Sequence, residues 1–198
     1  MQQTINLNCA GCGSPVSTAD KECKCCRRPV VISSFSSTFS MDIPLLNKYL
    51  RRDKQALGDN PDSSELNNSI AHCYLKLKMY DEALSAFQKA IEDDFENSET
   101  YFYAAVCLFK GKKAFVTPRP AIDNAVKYIN SALSIEQRGI YYYFLAYIKY
   151  DYFKRNGFNQ NPDWHETQQI AKDVGIFETD IVQLTEALQV EIPECLSI

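Results

Sequence analysis

Only seven glycines, eight prolines and two histidines occur in the 198 residues. So little Gly and Pro excludes a collagen-like or low-complexity chain, and 45% apolar residues suffice for a packed core. With His72 and His165 alone, the chain is poor in general acid–base groups. It also has no Gly-rich phosphate loop and no nucleophile elbow, so no enzyme activity is expected. No apolar run approaches the ~20 residues that span a bilayer, and no membrane partner is expected. The opening MQQTINLNCAG lacks a cationic stretch followed by an apolar one, so no secretory signal is expected. A dominant basic face is missing too. Residues 1–58 hold eight Lys or Arg against four Asp or Glu, whereas residues 59–198 hold thirteen against twenty-one. A duplex-DNA binder would show the opposite excess.

What the chain does have is cysteine, eight in all, with five crowded into the first 30 residues. Cys9-Ala-Gly-Cys12 is followed, ten residues later, by Cys23-Lys-Cys-Cys26. Two Cys-x-x-Cys turns place four thiolates where they can close a tetrahedral site, with metal–sulfur bonds of ~2.3 Å. The expected ligands are Cys9, Cys12, Cys23 and Cys26, and the expected metal is zinc. Cys25 is a fifth thiol that could compete, but the even two-residue spacing favours Cys23 with Cys26. A disulfide staple, or reduced cysteines without a ligand role, are the alternatives. Gly11 and Gly13 bracket Cys12, whereas Arg27 stands where a glycine often follows the second pair. The segment resembles a zinc ribbon in both knuckles apart from that position. A closed four-thiolate site keeps no open position for water and is structural by default. Cys73, Cys107 and Cys195 fall singly, and this usage fits a reducing cytoplasm.

After Pro29 comes VVISSFSSTFS, read as a last ribbon strand and then a Ser-rich connector over 35–41. From Met41 the apolar period is helical. Ile70-Ala71-x-x-Tyr74 precedes Ala83-x-x-x-Phe87-x-x-Ala90, and small residues at such positions let two helices approach closely. The pattern resembles the tetratricopeptide repeat, a 34-residue helix–turn–helix unit, with Asn67 and Phe95 replacing its common Trp and Pro. Ala105 follows Ala71 by 34 residues, and Tyr142-x-x-Leu145-Ala146 begins a third unit. Ala125-x-x-x-Ile129-x-x-Ala132 comes eight residues late, which places an insertion at 114–121, where Pro118 and Pro120 forbid a continuous helix. Ala114→Leu should therefore be nearly silent. Upstream, Ile43–Leu57 forms a half-repeat turned by Asn60-Pro61-Asp62. Asp163-x-x-Glu166 opens a helix stopped by Gly175, and a last helix ending near Gln189 presents Ile181, Leu184 and Leu188 as a lid over the final repeat.

The expected architecture is mainly α: a zinc ribbon over 1–34, a linker over 35–41, and a tetratricopeptide-type α-solenoid over 42–198 with C-terminal capping helices. The resemblance implies an adaptor that holds a protein or peptide partner on its first helices. Register from the matched alanines turns Asn68, His72, Phe102, Phe109, Tyr143, Tyr147 and Tyr150 toward that partner. The cations of the charged clamp that grips chaperone tails are missing from the equivalent positions, so such tails are not expected. The second reading is a regulator whose ribbon touches DNA or RNA, using Lys24, Arg27 and Arg28 with Arg51, Arg52 and Lys54.

Overall fold

The computed structural model describes residues 4–196, which divide between Phe95 and Glu96 into two compact units. In the first unit, β1 (Asn6–Asn8) and β2 (Pro15–Ser17) pair antiparallel with Leu7 opposite Val16. Three helices follow: α1 (Ile43–Asp59), α2 (Ser64–Lys76) and α3 (Tyr80–Asp93). Asp42 and Ser63 cap the first two by accepting from the backbone N–H of Leu45 and Leu66, as short polar side chains do at helix starts. The half-repeat is therefore α1, and α2 with α3 is the first full repeat.

The ribbon does not hang on a linker. Ile5, Leu7 and Val30 pack on Leu66, with Ala56 and Leu57 alongside, while Ile32 joins Met41, Leu46, Tyr49 and Cys73. Between them Phe35–Thr38 forms a 3-10 turn with Phe35 and Thr38 buried. The boundaries drawn at 34 and 41 fall inside one core, because ~30 residues bury too little apolar surface by themselves. The strand expected after Pro29 is reduced to one bridge between Glu22 and Pro29.

A polar clamp reinforces this seam. Asp53, fully buried, accepts from Arg52 Nε at 2.7 Å and from the Ser69 hydroxyl at 2.6 Å. Arg52 donates onward to the Val30 carbonyl at 2.6 Å, and Ser69 accepts from the Ile32 N–H at 3.0 Å. Arg52 thus ties the ribbon strand to α1, and it is unavailable to a nucleic acid.

The second unit contains α4 (Ser98–Cys107), α5 (Arg119–Ile135), α6 (Gly139–Ile148), α7 (Trp164–Val174) and α8 (Glu178–Leu188). α4 pairs with α5 and α6 with α7, completing two further repeats. Both halves of the capping box at Asp163 and Glu166 are made, and Gly175 (φ 101°) ends α7. Gly139 is needed for a different reason: a Cβ there would overlap the Gly175 carbonyl oxygen. Backbone cannot yield to such a clash, so glycine lets α6 start against the end of α7.

The repeat register is visible in the buried alanines. Ala71, Ala83, Ala105, Ala125, Ala132 and Ala146 are all fully enclosed. Ala71→Leu or Ala105→Leu should cost ~1–3 kcal/mol in denaturant unfolding, since added volume forces closely packed helices apart. Ala114 is not the silent control that its place in the insertion implied. It is fully buried, and its N–H donates to the Tyr147 hydroxyl at 3.2 Å. The insertion is docked, with the Phe115 N–H donating to Asp151 at 2.9 Å. Val116, 64% exposed, is the position where Leu should leave stability unchanged. Equal losses at Ala71, Ala105 and Val116 would overturn the register.

Candidate metal centre and repeat faces

Both Cys-x-x-Cys turns are built alike. The Cys9 carbonyl accepts from the Gly13 N–H at 2.9 Å, and the Cys23 carbonyl accepts from the Arg27 N–H at 2.8 Å. The returning bonds run from Cys9 N–H to the Ser14 carbonyl and from Cys23 N–H to the Arg28 carbonyl, each 2.8 Å. The residue after each pair needs a left-handed backbone: Gly13 has φ 79° and Arg27 has φ 60°. Arg27 therefore fills a glycine position without breaking the turn, although a side chain is disfavoured there.

The turns bring the sulfurs of Cys9, Cys12, Cys23 and Cys26 within 4.8 Å of one another. Cys9 and Cys26 approach to 3.5 Å, and Cys12 and Cys23 to 3.7 Å. A tetrahedron with ~2.3 Å metal–sulfur bonds has edges of ~3.8 Å, so the spacing fits one ion. Among the described residues this is the one cluster of three or more metal-ligating side chains, and Cys25 stands outside it. All eight cysteines are free thiols, so no disulfide staples the ribbon.

The electrostatics call for a cation. The Ser14 hydroxyl and then its backbone hold the Cys12 thiol down to about 6. Hydrogen bonding by the Arg28 backbone lowers Cys26, yet desolvation and the sulfurs of Cys9, Cys12 and Cys23 push it up to about 12. Without a metal the four thiols cannot all ionise. A divalent ion bound by all four would make them thiolates together.

The first helices of the repeats are more enclosed than their register implied. Leu66 through Leu75 are buried without a break in α2, as are Phe102 through Cys107 in α4 and Tyr143 through Ile148 in α6. Asn68, His72, Phe102 and Phe109 are accordingly interior residues rather than a free face. The His72 ring meets Phe87 edge-on at 5.1 Å, and Phe102 and Phe109 pack on Phe144 at 5.7 and 5.3 Å. Tyr143 and Tyr147 are each 1% exposed, and Tyr150 remains half-buried against Trp164. The periodicity placed these residues on one side of each helix but did not show what lies across that side.

In the second unit two elements lie there. α8 packs on α4 and α6 rather than serving as an end lid over α7, and its Leu184 and Leu188 are buried. Beyond it the chain returns over α6, and the Tyr143 hydroxyl donates to the Leu196 carbonyl at 3.0 Å. The tyrosine-rich stretch is thus mostly core. One further feature escaped the sequence reading: Lys149–Lys154 continues α6 as a π-helix. It turns Asp151 inward to Phe115 and holds Arg155 to Asp151 at 2.6 Å. The four-residue spacings from Tyr147 to Asp151 and from Asp151 to Arg155 suit an ordinary α-helix equally well, so no residue pattern announces the wider turn.

Residues 65–92 match the tetratricopeptide repeat family. α2 and α3 are a tetratricopeptide repeat. The wider helical fold is similar to two solved structures of MamA. The MSR-1 structure has a TM-score of 0.50 at 15% identity, covering 68% of this chain and 78% of that one. The AMB-1 structure has a TM-score of 0.51 at 16% identity, covering 72% of this chain and 80% of that one. No curated protein matches the chain. The fold is accordingly a tetratricopeptide-type helical solenoid preceded by a small two-stranded sheet, a scaffold that generally binds protein and is typically not catalytic. No helix among the described residues is long and apolar enough to cross a membrane.

Proposed function

We propose that this protein is a cytoplasmic, non-catalytic adaptor that binds a protein or peptide partner on its tetratricopeptide unit. Its ribbon is held by one structural zinc ion on Cys9, Cys12, Cys23 and Cys26. The observation that carries the reading is the repeat itself, α2 with α3, matched by family and continued by two further helix pairs. Eight free thiols suit a reducing compartment. The partner face consistent with the packing is the tyrosine side of α6, with Tyr150 accessible and Tyr143 and Tyr147 beneath the last segment. Asn68, His72, Phe102 and Phe109 support that face from the interior.

The ribbon as a nucleic-acid contact is the weaker reading, because Arg52 is committed to the Val30 carbonyl and Asp53. Affinity capture with quantitative mass spectrometry separates the two. Tyr150→Ser should weaken partner retention about thirty-fold, the usual loss of an aromatic anchor worth ~2 kcal/mol. Arg27→Ala combined with Arg28→Ala should leave retention unchanged. Loss with the double variant and retention with Tyr150→Ser would move recognition to the ribbon.

A further inference from the structure

The segment after α8 is seated on the face that the repeat register assigns to a partner. At Gln189 the backbone turns left-handed (φ 56°), and Val190 to Leu196 run back across α6. Leu196 is fully buried and gives its carbonyl to Tyr143, and the Cys195 side chain hydrogen-bonds with Tyr150. The rest of the segment holds on lightly. Glu191, Glu194 and Cys195 are exposed, and Val190, Ile192 and Pro193 are only half-buried.

Below Ile192 and Pro193 a cleft of ≈ 330 Å³ remains, lined also by Tyr147, Tyr150, Asp151, Arg155 and Lys113. Packed interiors do not leave spaces of that size, whereas the cavity beside Leu184 and Phe102 measures only ≈ 20 Å³. The segment therefore covers the tyrosine face without filling it. Lys113 and Arg155 give the rim two cations against the single carboxylate of Asp151, and the covering segment brings Glu191 and Glu194 to it. Signs are complementary, and Pro193 favours an extended backbone.

We infer that residues 190–196 are a displaceable internal ligand, and that the face beneath them takes in trans an extended acidic peptide with an apolar anchor. This rests on the reading of the repeats as a protein-binding unit and names the chemistry of the partner. The anchor fills the Leu196 place, the preceding carboxylates meet Lys113 and Arg155, and a backbone carbonyl accepts from Tyr143. A tethered ligand acts at an effective concentration of about millimolar, so the closed chain masks its own site. Apparent affinity in trans falls by the fraction of molecules that are open.

The test uses the full chain and a fluorescein-labelled peptide copying residues 189–196, end-blocked, with Ser for Cys195. Fluorescence anisotropy should show weak binding to the unaltered protein. Binding should be at least about tenfold tighter to Leu196→Asp, whose covering segment is released. A peptide carrying Asp in the Leu196 place should not bind, and adding Lys113→Glu to the released chain should weaken binding severalfold. Ile192→Asp, at a half-buried position, provides a second released chain. Equal affinity for the unaltered and released chains would overturn the inference, as would no binding to a folded Leu196→Asp. If Leu196→Asp loses its helical circular dichroism, the decision passes to Ile192→Asp, where no gain in affinity overturns the proposal. Partner capture that depends on Tyr150 while the peptide fails would leave the adaptor reading standing and remove this inference alone.

Discussion

Stripping the metal, or replacing Cys9 by Ser, should unfold the ribbon and destabilise the whole first unit. Structural zinc in small four-ligand modules contributes on the order of 10 kcal/mol, comparable to the entire stability of an ordinary domain. The ribbon has little else to hold it: its strands are three residues long, and Ile5, Leu7 and Val30 are buried only against the helices beside them. Loss of the four-sulfur closure therefore also uncovers Leu66, Ala56 and Leu57 on the repeat. Elemental analysis should give one zinc per chain in the unaltered protein and in Cys25→Ser, and none in Cys9→Ser. Hydrogen exchange should quicken across residues 5–32 and, less strongly, in α1 and α2 after chelation. Zinc lost from Cys25→Ser but kept in Cys23→Ser would overturn the ligand set. Unchanged exchange after complete zinc removal would show that the helices alone hold the ribbon.

The ligand set was legible because it depends on local geometry. A Cys-x-x-Cys turn brings its two sulfurs together whatever surrounds it, and two turns joined by ten residues can meet. The repeats were legible for a similar reason, since each buried alanine marks a close helix crossing and recurs at a fixed interval. Helix ends followed from caps that need only a few neighbouring residues, as at Asp163, Glu166 and Gly175. The groove was not legible. Register states which side of α6 Tyr143 and Tyr147 occupy, but α8 and Leu196 reach that side from 40 or more residues away. Arg52 misled in the same way: the carbonyl of Val30 and the buried Asp53 are invisible to a count of basic residues. Ala114 did so too, because its burial comes from the third repeat and not from its own loop. Long-range covering decides each of these, and it leaves no local pattern.

Mild acid should destabilise the repeat through His72. Burial alone holds its imidazole down to about 3, far below the ordinary value near 6.5. Between those values the unfolded chain binds a proton that the folded chain refuses, so stability rises with pH across the window. The contribution is complete above ~6.5 and is lost as pH falls, by about 1.4 kcal/mol for each unit below that point. At pH 5 the expected loss is ~2 kcal/mol relative to a chain without this histidine. His72→Phe keeps a ring that can meet Phe87, and it should flatten the decline even if its stability at pH 7.5 is lower. Urea unfolding at pH 7.5 and pH 5, performed on both chains, gives the decisive difference of differences. Protonation of the zinc thiolates falls equally on both chains and cancels. Parallel declines would mean that His72 is reached by water or proton-accepting neighbours in the folded protein. A smaller decline in His72→Phe alone assigns the acid sensitivity to the packed interior of α2, separately from loss of zinc.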